Sequence, residues 1–237
     1  SSSAASDVYK RQKVRNRLML PVIDTRGDVV AFGSRVLDKS EPKYMNSSET
    51  PVYSKRRVLY GLNLAKKSKR PNIILCEGNL DIVTLHQAGF DNAVASMGTA
   101  LTVEQTRLLS RFTKELVLCY DNDNAGKIAT ERALQILNGS EFSVKVLQLP
   151  RRLVDGEYIK QDADDFIKLQ GPDAFERLLN GSENGVEFRM AQIAGKYDLK
   201  DDEARIAYCG EVSELLASLP GAVEREIYTG RAAEAAG

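Results

Sequence analysis

LVLCYDNDNAG (116–126) is the stretch whose reading decides the fold. It begins as an apolar run of strand length and ends on Asp121-Asn122-Asp123. A helical apolar pattern opens after Asn124 and runs through Ile128, Ala129, Ala133, Leu134, Ile136 and Leu137 to Asn138-Gly139. A buried strand that feeds a short loop and then a helix is one βα unit of a parallel sheet. Ligands of such sheets bind beyond the carboxyl ends of the strands, where Asp121 and Asp123 fall. Two carboxylates two residues apart suit a hard divalent ion with oxygen ligands. The same residues also suit a solvated, Asx-rich turn that caps the next helix.

The alternation continues on either side. NIILCEG (72–78) reads as a strand and NLDIVTLHQAG (79–89) as a helix; NAVASMG (92–98) as a strand and LTVEQTRLLSRF (101–112) as a helix, with Thr102 and Gln105 as a capping box; SVKVLQLP (143–150) closes the series. Four β-rich runs with helical connections predict an α/β fold, a mostly parallel sheet with helices on both faces. Glu77 then ends a strand at the same sheet edge as Asp121. Asp81 falls in the first turn of the following helix, where an acid also suits the helix dipole, and Gly78 is read as a tight turn between them. QDADDFI (161–167) brings Asp162, Asp164 and Asp165 ahead of another helix, as caps or as further carboxylates at that edge. A lone strand-end Glu is weak evidence; a Glu and a DxD on two strands of one sheet are stronger.

The rest of the chain frames this unit. LMLPVID, the turn Arg26-Gly27-Asp28 and VVAFGSRVL predict a hairpin over 18–37. Residues 41–62 are rich in Pro, Ser, Asn and Lys and read as loop, with Lys43, Lys55, Arg56 and Arg57 interleaved among Tyr44, Tyr53 and Tyr60. Such mixtures suit phosphate and base contacts, or a solvated basic loop with packed tyrosines. Lys66, Lys67, Lys69 and Arg70 read as basic residues at a helix C-terminus. From Gly171 the pattern is all-helical: 171–181, 185–194, 200–219 with Ile206, Cys209, Val212, Leu215, Leu216 and Leu219 on one face, and a fourth helix from Pro220 carrying Val223, Ile227 and Tyr228.

The 237 residues carry a net charge of zero that hides an asymmetry. Residues 1–70 hold 16 Lys and Arg against 6 Asp and Glu, a net of +10, and residues 71–237 a net of −10. This suits a polyanion gripped on one side and cations held on the other, or attraction between the two lobes. No apolar run reaches the ~18 residues of a membrane span, no secretory pattern opens the chain, and a cytoplasmic protein is expected. Cys76, Cys119 and Cys209 lack zinc-ribbon spacing and encode no disulfide framework.

EGNLD (77–81), YDNDNAG (120–126) and DAD (162–164) resemble the three acidic motifs of the Toprim domain shared by bacterial primases, topoisomerases and some nucleases. RVLDKSEPKYMNSSETPVYSKRRVLYGL (35–62) resembles the segment that precedes Toprim in bacterial replicative DNA primase. The resemblance runs from about Asn16 to the C-terminus. It implies the C-terminal part of the basic N-terminal subdomain over 13–70, Toprim over 71–168 and a helical subdomain over 169–237; residues 1–12 are set aside as disordered or a scar. It implies Glu77 as metal ligand or general base, Asp121, Asp123, Asp162 and Asp164 as holders of two divalent ions, Mg²⁺ or Mn²⁺, and Asp81 as their support. Arg35, Lys43, Asn46 and Lys55 would line the path of single-stranded DNA template, RNA primer and ribonucleoside triphosphates. A zinc-binding N-terminal domain and a C-terminal domain for the replicative helicase are expected outside the chain. Asn79, Asn122, Asn124 and Ala163 depart from the commonest motif without removing an acid. Asn122 keeps the turn because Asn tolerates left-handed backbone. The rival readings are another Toprim enzyme (a nuclease or topoisomerase), a non-catalytic nucleic-acid-binding Toprim module, and, well behind, a phosphoacceptor domain.

Overall fold

A computed structural model describes residues 14–154 and 156–237, so the 1–12 segment lies outside the described residues. The centre is a six-stranded sheet in the order β11-β8-β7-β5-β6-β4. Its four inner strands are β5 (Asn72–Cys76), β6 (Ala93–Ser96), β7 (Glu115–Cys119) and β8 (Ser143–Val146), and they pair in parallel. The edge strands β4 (Leu59–Tyr60) and β11 (Glu183–Asn184) are antiparallel additions. The mostly parallel sheet expected from the alternation is therefore present.

Alternation of side chains along each inner strand builds two cores. Ile73, Leu75, Leu116 and Leu118 point to one face, where they meet Leu109 of α3 (Val103–Leu109) and Ala133, Leu134 and Leu137 of α4 (Asn124–Leu137). Ile74, Cys76, Val117 and Cys119 point to the other. There they meet Ile82 and Leu85 of α2 (Asn79–Gln87), Phe166 of α5 (Ala163–Gln170) and Phe175 of α6 (Pro172–Asn180). Phe90 and Phe175 meet edge-on with centroids 4.8 Å apart. Each fully buried aliphatic side chain contributes roughly 1.5–3 kcal/mol, so a sheet buried on both faces is a rigid platform for what its carboxyl edge carries. Cys76 and Cys119, neighbours in register on β5 and β7, are buried as expected.

The basic segment is more ordered than a loop. β1 (Arg17–Ile23) and β2 (Val29–Val36) form the expected hairpin, and β3 (Tyr44–Asn46) adds a third antiparallel strand to it. The period-2 signal of three residues was too short to separate β3 from its polar surroundings. β4 and the single turn α1 (Leu62–Ala65) follow, and β4 joins the main sheet through β6. The basic cluster after α1 is not helix-end chemistry throughout. The Lys66 ammonium donates to the Thr25 carbonyl, while Arg70 pairs with Glu176 and lies 4.6 Å over the Phe90 ring.

Two further differences matter. Between β8 and α5 stands a hairpin, β9 (Arg152–Val154) and β10 (Glu157–Ile159), in place of the expected polar loop. In the helical tail, α7 (Gly185–Ala194), α8 (Asp202–Ala217) and α9 (Ala222–Ala236) share a third core. The buried stripe of α8 continues into the turn after it: Tyr208, Val212, Leu215, Leu216 and Leu219. Ile206 and Cys209, expected on that face, are exposed, as are Val223 and Ile227 of α9. The spacing from Tyr208 onward closes the stripe without them. No helix among the described residues is long and apolar enough to cross a membrane.

Candidate metal and nucleic-acid site

The acidic residues collect where the inner strands end. Glu77 follows β5 directly, and its Oε1 lies 3.4 Å from the backbone N–H of Asp121, which donates to it just past β7. Asp123 is the N-cap of α4: its Oδ1 accepts the Gly126 N–H at 2.8 Å. Capping and ligand geometry are compatible here because a carboxylate has two oxygens. The Oδ2 atoms of Asp121 and Asp123 both face the Lys160 ammonium, at 3.1 and 3.0 Å. Gly126 sits so close under the loop that a β-carbon there would overlap the Asp121 carbonyl oxygen and stand 2.7 Å from the Asp121 carbonyl carbon. Asn122 does not adopt left-handed backbone; its side-chain amide donates to the Leu149 carbonyl at 2.9 Å and ties the loop to the chain beyond β8.

A second group of acids lies at the start of α5. Asp162 caps that helix by accepting the Asp165 N–H at 2.7 Å. Carboxylate oxygens of Asp162, Asp164 and Asp165 lie within 4.8 Å of one another. Asp164 also accepts from the Thr84 hydroxyl and, at 2.6 Å, from Lys168. Asp81 joins the two halves. Its Oδ2 accepts the Gly78 N–H and its Oδ1 the Asp164 N–H, each at 3.1 Å. Gly78 has ordinary extended backbone, and its lack of a side chain gives room: a β-carbon would come within 2.6 Å of Asp81 Oδ2.

Burial and like charge raise several of these acids. Burial, with repulsion from Asp162 next, pushes the Asp81 carboxyl up to about 7. Burial and then Asp121 raise Glu77, and burial raises Asp162. Asp123 moves the other way, held down by the Gly126 N–H and by Lys160. Hydrogen bonds to Asp123 and Asp121 in turn raise Lys160. The donor set is all oxygen, and one pair already converges on a cation. Those are the properties that a hard divalent ion requires.

Of the four expected strand-contacting residues, two meet beside this edge. Arg35 and Lys43 stand 5.7 and 5.5 Å from the centroid of the Tyr44 ring. They line a groove of about 540 Å³ that reaches Leu80 of α2. Tyr44 has its hydroxyl raised by burial, partly offset by Arg35, and feels the charges of Asp81, Asp162 and Asp164. Asn46 turns toward the sheet, its amide 3.4 Å from the Met97 carbonyl. Lys55 is fixed through its backbone, with its N–H on Glu49 and its carbonyl on Gln105 of the capped α3. Lys160 was not singled out from the sequence, and Asp165, read there as a cap or a further carboxylate, was not among the expected metal ligands. The signal for the hairpin that precedes Lys160 was present: Asp155-Gly156 between RLV and EYI is a two-residue turn pattern.

The fold and the sequence have clear relatives. A DNA primase domain from Pseudomonas aeruginosa superposes with a TM-score of 0.77 at 34% identity, over 94% of this chain and 68% of that one. The chain belongs to the bacterial DNA primase family. A DnaG primase catalytic domain bound to single-stranded DNA matches at 32% identity and a TM-score of 0.77, over 92% of this chain and 70% of its own. The DNA primase of Clostridium acetobutylicum is 41% identical over 222 residues, 93% of this chain. The chain spans about a third of the length of the curated primases it matches (35% for that one). Three family models divide it: the DNA primase catalytic core N-terminal domain at 2–66, a Toprim-like domain at 74–167 and the DnaB-helicase binding domain of primase at 186–237. The first match begins inside the segment set aside as a scar. The third falls on α7 to α9, whereas the sequence reading placed the helicase contact beyond this chain.

Proposed function

We propose that this chain is the catalytic core of a DNA primase, which joins ribonucleoside triphosphates into short RNA primers on a single-stranded DNA template. The observation that carries the reading is the convergence of Glu77, Asp121, Asp123 and the Asp81–Asp164 pair from separate strand and loop ends. Beside them lies a groove lined by Arg35 and Lys43. Glu77, Asp121, Asp123, Asp162 and Asp164 would hold divalent ions, Mg²⁺ or Mn²⁺. Two such ions stabilise the attacking and leaving oxygens of an in-line displacement at phosphorus.

The chain's own residues supply the rest. The 3′-oxygen of the growing primer attacks the α-phosphorus of the incoming nucleotide, and pyrophosphate leaves. Glu77, with its proton affinity raised by burial and by Asp121, would take up the hydroxyl proton. Asp81 is a positioning residue that ties the loop after β5 to the start of α5. Arg35 and Lys43 offset phosphate charge without reading base sequence. Tyr44, half exposed between them, offers a ring on which a base can stack. The replicative helicase is the proposed protein partner. The family match over 186–237 and the uncovered Ile206, Val223 and Ile227 on α8 and α9 support a contact through the tail.

The test is Mn²⁺ binding by calorimetry, with and without a ribonucleoside triphosphate, on this chain and on its Asp121→Asn/Asp123→Asn variant. Asn caps a helix as well as Asp does, so the fold should survive. Binding that strengthens with nucleotide and disappears in the folded variant is expected. Equal binding by both proteins would remove the acidic edge from the mechanism.

A further inference from the structure

Lys160 was not foreseen among the site residues, and the metal reading does not use it. Its ammonium lies 3.1 Å from Asp121 Oδ2 and 3.0 Å from Asp123 Oδ2, between the two carboxylates that converge most closely on one cation. Both distances are in the ordinary range of N–H···O hydrogen bonds. An ammonium and a divalent ion cannot share those oxygens at their closest approach, because both are cations and the ion takes its ligands at 2.0–2.6 Å.

The surroundings allow the ammonium to leave. Lys160 is 57% exposed, so its four-carbon stem has open solvent on one side. Its backbone is anchored on both flanks. Gln161 is buried and Asp162 caps α5 on one side, and on the other the β9–β10 hairpin is held at its base by Arg151, whose Nε donates to the Asn122 carbonyl at 3.3 Å. Among the described residues the two strands of the hairpin pair only with each other. Displacing the ammonium therefore needs rotation of one side chain and no rearrangement of the sheet.

We propose that Lys160 is a built-in counter-ion of the metal site, which holds the Asp121–Asp123 pair in the metal-free protein and is displaced by the entering divalent ion. The inference rests on the metal-site reading above. With the ammonium in place the pair carries a net charge of −1, and repulsion between the carboxylates is suppressed. Once it is displaced, the pair presents −2 to the ion. Lys160 thus lowers the site's affinity for its metal and keeps the loop in its ligating shape before the metal arrives.

The experiment is Mn²⁺ binding, followed by electron paramagnetic resonance, on wild type, Lys160→Met, Lys160→Arg and Asp121→Asn/Asp123→Asn in the Lys160→Met background. Lys160→Met keeps the stem and removes the charge. It should tighten one Mn²⁺ about tenfold, and Lys160→Arg should stay near wild type. The Asn pair should abolish the tightened binding. Thermal melting gives a second readout: without metal Lys160→Met should melt below wild type, and Mn²⁺ should raise its Tm by more, through binding to the folded state alone. Unchanged or weaker Mn²⁺ binding in Lys160→Met, with that binding lost in the Asn pair, would overturn the counter-ion role and leave the metal site standing. Absence of Mn²⁺ binding from both wild type and Lys160→Met would overturn both.

Discussion

Gly126→Ala should damage the site more than its single added methyl group suggests. The β-carbon would overlap the Asp121 carbonyl oxygen and lie 2.7 Å from that residue's carbonyl carbon and 3.0 Å from its nitrogen. Carbon atoms pack at about 3.5 Å or more, so the carbonyl carbon alone requires the first turn of α4 and the Asp121 loop to separate by roughly 0.8 Å, and the overlapped oxygen requires more. The obstacle is backbone, which cannot swing aside as a side chain does. Overpacking of this kind costs about 1–3 kcal/mol. The same shift strains the bond from the Gly126 N–H to Asp123 Oδ1 at 2.8 Å, and losing a cap costs about 0.5–2 kcal/mol. Together these come to ~1.5–5 kcal/mol, a fall in Tm on the order of 10 °C for a domain of this size. Asp121 and Asp123 would also move apart by a large fraction of a metal–oxygen bond length, so Mn²⁺ binding should weaken by about 100-fold at temperatures where the variant is folded. Calorimetric melting and Mn²⁺ titration measure the two effects. A Tm within 2 °C of wild type and unchanged Mn²⁺ affinity would refute the claim that this close approach builds the site.

Three further outcomes are expected. Gly210→Ala, on the exposed face of α8 with nothing within 4 Å of the added carbon, should raise stability by about 0.5–1 kcal/mol and leave metal binding alone, a control for the first variant. Asp81, pushed up to about 7 by burial from an ordinary value of 3.8, holds its proton more tightly when folded. Its stabilising contribution is present in full below pH ~4 and is lost as the pH rises through about 7, so in EDTA the stability of Asp81→Asn relative to wild type should climb across that window by up to ~4 kcal/mol; a flat difference in urea melts between pH 4 and 8 would count against it. Lys43→Ala should weaken single-stranded DNA binding and reduce the slope of log K against log salt by about 0.7, and an unchanged slope in fluorescence titrations would take Lys43 off the path of the DNA.

The sheet was legible because its strands are apolar runs punctuated by capped helices. Ile73 to Cys76 and Leu116 to Cys119 leave no polar face, and the Thr102–Gln105 box marks α3 at its first turn. The acids were legible as candidates because each falls at a strand end or in a helix's first turn. Their division of labour was not. Two oxygens let Asp123 cap α4 and face Lys160 together, and it is the tertiary fold that sets Asp81 between Gly78 and Asp164. Short strands were lost for the opposite reason. Tyr44–Asn46 and the β9–β10 hairpin are three residues long each and take their regularity from a partner strand, a tertiary effect that local periodicity does not carry. In α8, Ile206 and Cys209 were drawn into the buried stripe by composition, whereas the fold leaves both exposed and buries Tyr208.

The most direct test of the central claim is template-directed synthesis by the full-length parent protein. Ribonucleotide incorporation on single-stranded DNA would be measured for wild type and for Asp121→Asn/Asp123→Asn, together with single-stranded DNA affinity and thermal melting. Loss of synthesis with the fold and DNA binding retained is the predicted result. Retained synthesis in the folded double variant would contradict the account, because the acidic edge would then not be where primers are made.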